Sequence, residues 1–326
     1  MNSTPEAVLS SQQFTVDTSI SDTSDSDEWI LATHGRTFHF AARFLPPKIR
    51  HDVVTLYAFF RTLDDLVDVP TEERGMEDIR RELHAWRNWF AEGRSFPAPR
   101  EPLGSRLSTV LDEHSVPTTL LLDFLEGMFS DLEPQKMRNF VELHRYCYRV
   151  AGTVGLAMTY VMGVNSAQAL VAAENLGIGM QLTNILRDVG GDLALGRIYL
   201  PQDDLARFES SPAHLAQLFK TQQGPDDSFR AFMRYQIARA RDYYAHGMSG
   251  IWLLPPDCRL PILVASRLYR HILTKIERED YDVLRFRAST TFAEKVREAM
   301  IAFTLDRLWS RGEVGPIAEP GVLFEN

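Results

Sequence analysis

Two short stretches of this 326-residue chain carry carboxylates at spacings that can hold a metal ion. The first is Tyr57-Ala-Phe-Phe-Arg61-Thr-Leu-Asp64-Asp65-Leu-Val-Asp68. Asp64 and Asp68 stand four residues apart, which on a helix is about 6 Å of rise in nearly the same direction. Two such carboxylates repel each other, and they lie near a C-terminal end, where the helix dipole disfavours anions. Something cationic should offset them. The second stretch is Gln181-Leu-Thr-Asn184-Ile-Leu-Arg187-Asp188-Val-Gly-Gly-Asp192. Asn184, Asp188 and Asp192 also step by four and project oxygens from nearly one face. Gly190 and Gly191 are expected to end the regular helix, leaving Asp192 in a frayed last turn or the loop. An oxygen-only donor set with no His or Cys nearby suits a hard cation, magnesium or manganese in its place. Two acidic faces set opposite each other would form a site for a diphosphate–metal complex, with Arg61, Arg187 and Arg197 available to phosphate oxygens. An isolated acidic pair would read as a solvated face. Here the second set is interleaved with Leu182, Ile185, Leu186 and Val189, in one of the least charged regions of the chain.

The elements that must position these residues are helices. Apolar residues recur with helical periodicity, and no run alternates as a strand would. Helices are expected from Pro46-Pro47 to Pro70, over Met76–Gly93, Ser105–His114, Thr118–Leu132, Asn139–Met162 and Ser166–Val189. Further ones follow over Asp226–Met248, Pro261–Glu279 and Thr291–Arg311. Residues 93–104 and 222–227 read as loops, and a short helix is expected after Pro201, capped by Asp203 and Asp204. The uncharged stretch from Val150 to Ala173 is long enough to span a membrane. Asn165, Ser166 and Gln168 interrupt it, so it reads as two core helices meeting near Asn165. The fold class is all-α, one domain over residues 29–312. Residues 1–28 read as a disordered polar tail and 313–326 as a C-terminal tail.

Composition narrows the function classes. Acids outnumber bases, 44 against 35, for a net charge of −9. That excludes a general nucleic-acid-binding footprint. Two cysteines, Cys147 and Cys258, read as buried thiols of a reducing compartment. The polar first residues do not read as a secretory signal, and no C-terminal membrane anchor is expected. A cytoplasmic protein is expected, touching the membrane peripherally, with no obligate protein partner. The Gly177-Ile-Gly179 pair lies in a helical pattern and is no dinucleotide fingerprint.

The chain resembles the squalene/phytoene synthase family. Tyr146-Cys-Tyr-Arg-Val-Ala-Gly-Thr-Val-Gly155 is similar to that family's first signature. Leu176 through Asp192, with Arg197-Ile-Tyr-Leu-Pro201, is similar to the second, and Tyr57–Asp68 to its first aspartate-rich motif. With Phe38, Leu45-Pro46, Tyr269 and Tyr281-Asp282-Val283, the likeness spans roughly residues 33–300.

The resemblance implies the trans-isoprenyl diphosphate synthase (terpenoid synthase) fold, a helical bundle around a central cavity. It implies that Asp64, Asp68, Asn184, Asp188 and Asp192 are metal or diphosphate residues. It puts Tyr57, Arg61, Gln181, Arg187, Arg197 and Tyr269 near the substrate. His34-Gly-Arg36-Thr37-Phe38 stands where the family often has a Ser-rich stretch before Phe-Tyr. Gly35, Thr37 and His39 depart from that pattern, but Thr37 offers a hydroxyl and Arg36 a charge to phosphate, beside His34 and Phe38. The implied reaction is magnesium-dependent head-to-head coupling of two prenyl diphosphates through a cyclopropylcarbinyl diphosphate. Two geranylgeranyl diphosphates giving phytoene, without NADPH, is the preferred expectation. A squalene, dehydrosqualene or presqualene diphosphate synthase acting on farnesyl diphosphate, and a non-catalytic lipid-binding relative, remain open.

Overall fold

The computed structural model describes residues 40–68, 75–94, 97–133 and 135–312. The two expected tails and the end of the first helix at Pro70 lie outside the described residues. The described chain is helical, with one isolated bridge pairing Lys136 and Ile198. The helices are α1 (Pro47–Asp68), α2 (Met76–Ala91), α3 (Leu103–Glu113), α4 (Thr118–Asp131), α5 (Phe140–Cys147), α6 (Thr153–Val161) and α7 (Ala167–Arg187). They continue as α8 (Val189–Ala194), α9 (Gln202–Arg207), α10 (Pro212–Thr221), α11 (Asp227–Met248), α12 (Pro256–Arg278) and α13 (Phe292–Ser310).

Local chemistry starts several of them where the sequence suggested. Ser166 caps α7 by accepting from the Ala169 amide, and Asp226 caps α11 by accepting from Phe229. Thr291 and Glu294 form a reciprocal capping box on α13. Three readings need correction. The expected helix over Asn139–Met162 is α5 and α6 joined by a π-helical turn at Tyr148–Gly152. Helix α12 begins five residues before Pro261, so that proline sits inside it and removes one backbone donor. Helix α10 was not anticipated, although Ser211 capping through the His214 amide, with Pro212 in the first turn, is a complete start signal.

Helix α7 is the axis of the bundle and packs against α11, the π-helical turn, α6 and α12. Its approach to α5–α6 depends on two glycines. A Cβ at Gly155 would lie 2.6 Å from the Ala173 carbonyl oxygen, and one at Gly177 would lie 2.3 Å from that of Ala151. Helix α1 is anchored from the other side by aromatic packing. Phe59 meets Trp86 edge-on at 5.1 Å and Phe60 meets Phe124 at 4.7 Å. Such buried rings each stabilise the fold by about 3–5 kcal/mol against truncation to Ala. The ends of α1 and α7 are thereby held across a common space. Residues 150–173 are two helices, as expected, and no helix among the described residues is long and apolar enough to cross a membrane. Cys147 and Cys258 are buried free thiols.

Candidate active site

The last turns of α1 carry the first acidic cluster and much of its compensation. The Arg61 Nη1 donates to Asp64 at 2.7 Å, and the same guanidinium also pairs with Asp65. Asp64 and Asp65, which point in different directions along the helix, thus share one cation. A second cation comes from far along the chain. Arg197, in the loop after α8, donates to Asp68 Oδ1 at 2.7 Å. These are the positive charges that the repelling carboxylates required.

The second cluster differs from the expectation in one respect. Gly190 and Gly191 do not end the helix. The backbone breaks earlier, at Asp188, and restarts as α8, with both glycines in its first turn. Even so, the Asp188 amide donates to Asn184 at 2.9 Å and the Asp192 amide to Asp188 at 2.8 Å, so the step of four survives the break. The reason for the glycine is a close approach. The Gly190 amide donates to the Val283 carbonyl at 3.1 Å, and a Cβ there would lie 2.5 Å from the Leu284 oxygen. This seat holds the segment after α12 against α8 and brings Arg287 onto Asp188.

Asp188 is therefore clamped from two sides. Arg187 reaches it with Nε at 2.8 Å and Nη2 at 2.6 Å, and Arg287 with Nε at 2.6 Å and Nη2 at 3.1 Å. Burial alone would raise the Asp188 pKa, but hydrogen bonds and charge from the two arginines hold it below the ordinary value. Asp64 and Asp192 are shifted the other way. Burial, then the charge of Asp68, pushes Asp64 up to about 7. The cavity leaves 42 % of its side chain accessible, yet protein surrounds it on most sides. Burial and then Asp188 push Asp192 up to about 7.

A further acid, Asp131 at the end of α4, belongs to this field. Burial raises it to about 6, against hydrogen bonds from the Tyr146 and Tyr199 hydroxyls, each at 3.0 Å, and with Asp68 raising it further. The two tyrosine rings stack at 5.0 Å. Negative charge thus exceeds its local compensation at this end of the bundle, and the donors are all oxygen. Residues of this kind fit a hard divalent cation. A different group, Asp52, Glu113 and His114, brings its donor atoms within 4.8 Å of one another between α1 and the end of α3. None of those three lines the cavity described next.

That cavity has a volume of about 960 Å³ and two unlike ends. Tyr57, Arg61, Asp64, Gln181, Asn184 and Arg187 form part of the polar end, joined by Arg287 and Lys295. Val154, Met158, Met162, Leu176, Leu254 and Ile262 form much of the apolar end. Tyr269 lines it as well, and burial raises its hydroxyl pKa. Asp68, Asp188, Asp192 and Arg197 are not part of the lining. They stand behind it, Asp188 tied to it through Arg187 and Arg287. Gly155 and Gly177 line the cavity, but their tight contacts are with neighbouring helix backbone, so close helix packing explains them. His34, Arg36, Thr37 and Phe38 lie outside the described residues. Sequence reasoning missed Arg287, Lys295 and Asp131. Arg287 is in a loop without periodicity, whereas Asp131 carried a faint signal, a carboxylate closing an otherwise apolar helix.

Comparison with known proteins agrees with this geometry. The family model for squalene/phytoene synthase matches residues 31–294. A 15-cis-phytoene synthase of Synechococcus elongatus is 36 % identical over 283 residues, covering 83 % of this chain and 89 % of that protein. A phytoene synthase of Arthrospira platensis is 37 % identical over 283 residues, covering 82 % and 88 %. Among solved structures, a dehydrosqualene synthase in complex with ligand superposes with a TM-score of 0.77 at 28 % identity, covering 87 % of this chain and 96 % of that one. A squalene synthase from Alicyclobacillus acidocaldarius shares the fold with a TM-score of 0.69 at 22 % identity, covering 79 % and 94 %.

Proposed function

This chain belongs to the squalene/phytoene synthase family, and from that premise we propose that it joins two geranylgeranyl diphosphates head to head, through prephytoene diphosphate, to phytoene. The observation that carries the reading is the cavity itself. Asp64 and the guanidinium groups of Arg61, Arg187 and Arg287 line one part, apolar side chains line the rest, and both belong to one space of about 960 Å³. A prenyl diphosphate has the same two-part chemistry.

Asp64, Asp68, Asn184, Asp188 and Asp192 would hold magnesium ions, with Asp131 adding negative charge behind them. When bound, the ions supply charge neutralisation for the departing diphosphate. Arg61, Arg187 and Arg287 stand where they can exchange part of their carboxylate bonding for phosphate oxygens. Preorganised cations of this kind stabilise negative charge as it develops on the leaving group. The Tyr57 hydroxyl is kept protonated by burial and by the neighbouring Tyr269 and Asp64, so it retains a proton to donate at this end of the cavity. The walls from α6, α7 and α12 exclude water from the allylic and cyclopropylcarbinyl cations, which water would otherwise quench. Coupling, rearrangement and proton loss need no electrons from outside, so no reductant is required for phytoene.

A second reading is favoured by the likeness to the dehydrosqualene synthase structure. In it, two farnesyl diphosphates give a C30 product. The distinguishing experiment supplies purified protein and magnesium with both substrates in competition, with and without NADPH, and identifies the extracted hydrocarbons. A C40 product independent of NADPH is expected. C30 hydrocarbon alone would replace the first reading with the second.

A further inference from the structure

Helix α13 turns acidic side chains inward and leaves several large apolar ones outside. Its two buried residues are Glu298 and Ala302. Glu298 turns inward to Arg267 of α12 at 2.7 Å, and Glu294 turns inward to Lys275 at 3.0 Å. Leu305 and Trp309 pack partly against the core, but a second set of large apolar side chains goes outward. Phe292, Val296, Met300 and Phe303 follow steps of four, four and three residues, which place them on one face of a helix. They are 75 %, 38 %, 66 % and 48 % exposed. The stripe runs about 16 Å along the helix. A scattered exposed Met or Phe needs no explanation, but an aligned set marks an interaction surface.

Two features identify what it meets. The stripe is continuous with the cavity, because Phe292 at its head and Lys295 beside it both line that space. Basic side chains stand along the stripe, with Asp306 among them, although the whole chain carries a net charge of −9. Lys295 flanks the head, the Arg307 guanidinium lies 5.4 Å from the Phe303 ring centre, and Arg311 follows. An apolar face edged by Lys and Arg matches the boundary between headgroups and acyl chains of an anionic bilayer. A second protein copy on this face would crowd the cavity mouth, whereas a bilayer delivers lipid to it.

We infer that the outer face of α13 seats the protein on an anionic lipid surface, with the cavity mouth toward the membrane. The inference rests on the prenyl-coupling reading, which makes substrates and product lipids. The test uses the full chain, vesicles of equimolar phosphatidylcholine and phosphatidylglycerol, and a variant carrying Met300→Gln and Phe303→Gln. Both side chains are largely solvent-exposed and neither lines the cavity, so the fold and the site are left intact. The wild type should sediment with the vesicles, and the variant should lose at least about tenfold in partitioning. Turnover of detergent-dispersed substrate should stay within about twofold of wild type, since the tested face is outside the site. No vesicle binding by the wild type, or equal binding by the variant, overturns the inference. A wild-type dimer that the variant converts to monomer also overturns it, by assigning the stripe to a second copy. Failure of both proteins to turn over substrate in detergent would count against the coupling reading alone, because vesicle sedimentation does not depend on catalysis.

Discussion

Arg187 and Arg287 grip the same carboxylate with similar distances, yet their removal should differ in consequence. Each makes two bonds to Asp188, spanning 2.6–2.8 Å for Arg187 and 2.6–3.1 Å for Arg287. Their solvent exposure separates them, at 16 % of the Arg187 side chain against 70 % of Arg287. A hydrogen bond to a charged group contributes about 1.5–3 kcal/mol when desolvated, and an exposed ion pair at most about 1 kcal/mol. Arg287→Ala removes a largely screened pair, so a loss of at most about 1 kcal/mol is expected, a fall in kcat/KM of up to about fivefold. Arg187→Ala removes two sheltered bonds and leaves Asp188 poorly compensated, for about 2–4 kcal/mol, or roughly 30- to 1000-fold. The assay is steady-state hydrocarbon formation at saturating magnesium, with thermal unfolding to confirm that both variants fold. Equal losses, or a larger loss at Arg287, would refute the idea that shielding from water sets the strength of this clamp.

Other consequences follow from the same structure. Asp64 and Asp192 have folded pKa values raised to about 7, far above those of unfolded carboxylates. Their ionisation therefore penalises the metal-free fold increasingly as pH rises from about 4 through 7. Melting followed by fluorescence should show magnesium raising Tm more at pH 8 than at pH 6, and an equal effect at both would contradict the raised values. Gly177→Ala would push a methyl against the Ala151 carbonyl, and should lower Tm by about 3–10 °C in a calorimetric scan; an unchanged Tm would mean that the π-helical turn and α7 separate freely. Ala265 is buried and lines the cavity. Ala265→Phe should shift the preference toward the shorter farnesyl chain, and a C20 to C15 selectivity ratio that does not move would place the chain-binding region elsewhere.

The sequence was most readable where chemistry and helical periodicity coincide. Asp64 and Asp68, and Asp188 and Asp192, stood out because carboxylates four residues apart violate the preference of an isolated helix, and Asn184 stood out by continuing the same step with an amide oxygen. The cation implied by their repulsion was also foreseeable, and Arg61 and Arg197 supply it. The break at Asp188 was not, because it depends on the carbonyls of Val283 and Leu284, almost a hundred residues later, docking onto Gly190. Arg287 escaped for the same reason. Its role exists only once that loop is seated, and nothing periodic marks it. Asp131 becomes part of the field through Tyr146 and Tyr199, neither of which is near it in sequence. The π-helical turn at Tyr148–Gly152 has no composition that separates it from an ordinary helix. Helix α10 is a different kind of miss, since Ser211-Pro212 announced it.

The central claim is that the acidic ends of α1 and α7–α8 act together on prenyl diphosphates held in one cavity. Its most direct test incubates the wild type, Asp64→Asn and Asp188→Asn side by side with geranylgeranyl diphosphate and magnesium, then measures C40 hydrocarbon. Wild type should produce it without NADPH, and each variant, altered on a different helix, should fall by at least about a hundredfold. Absence of any C40 product from the wild type, or full activity in either variant, would contradict the claim.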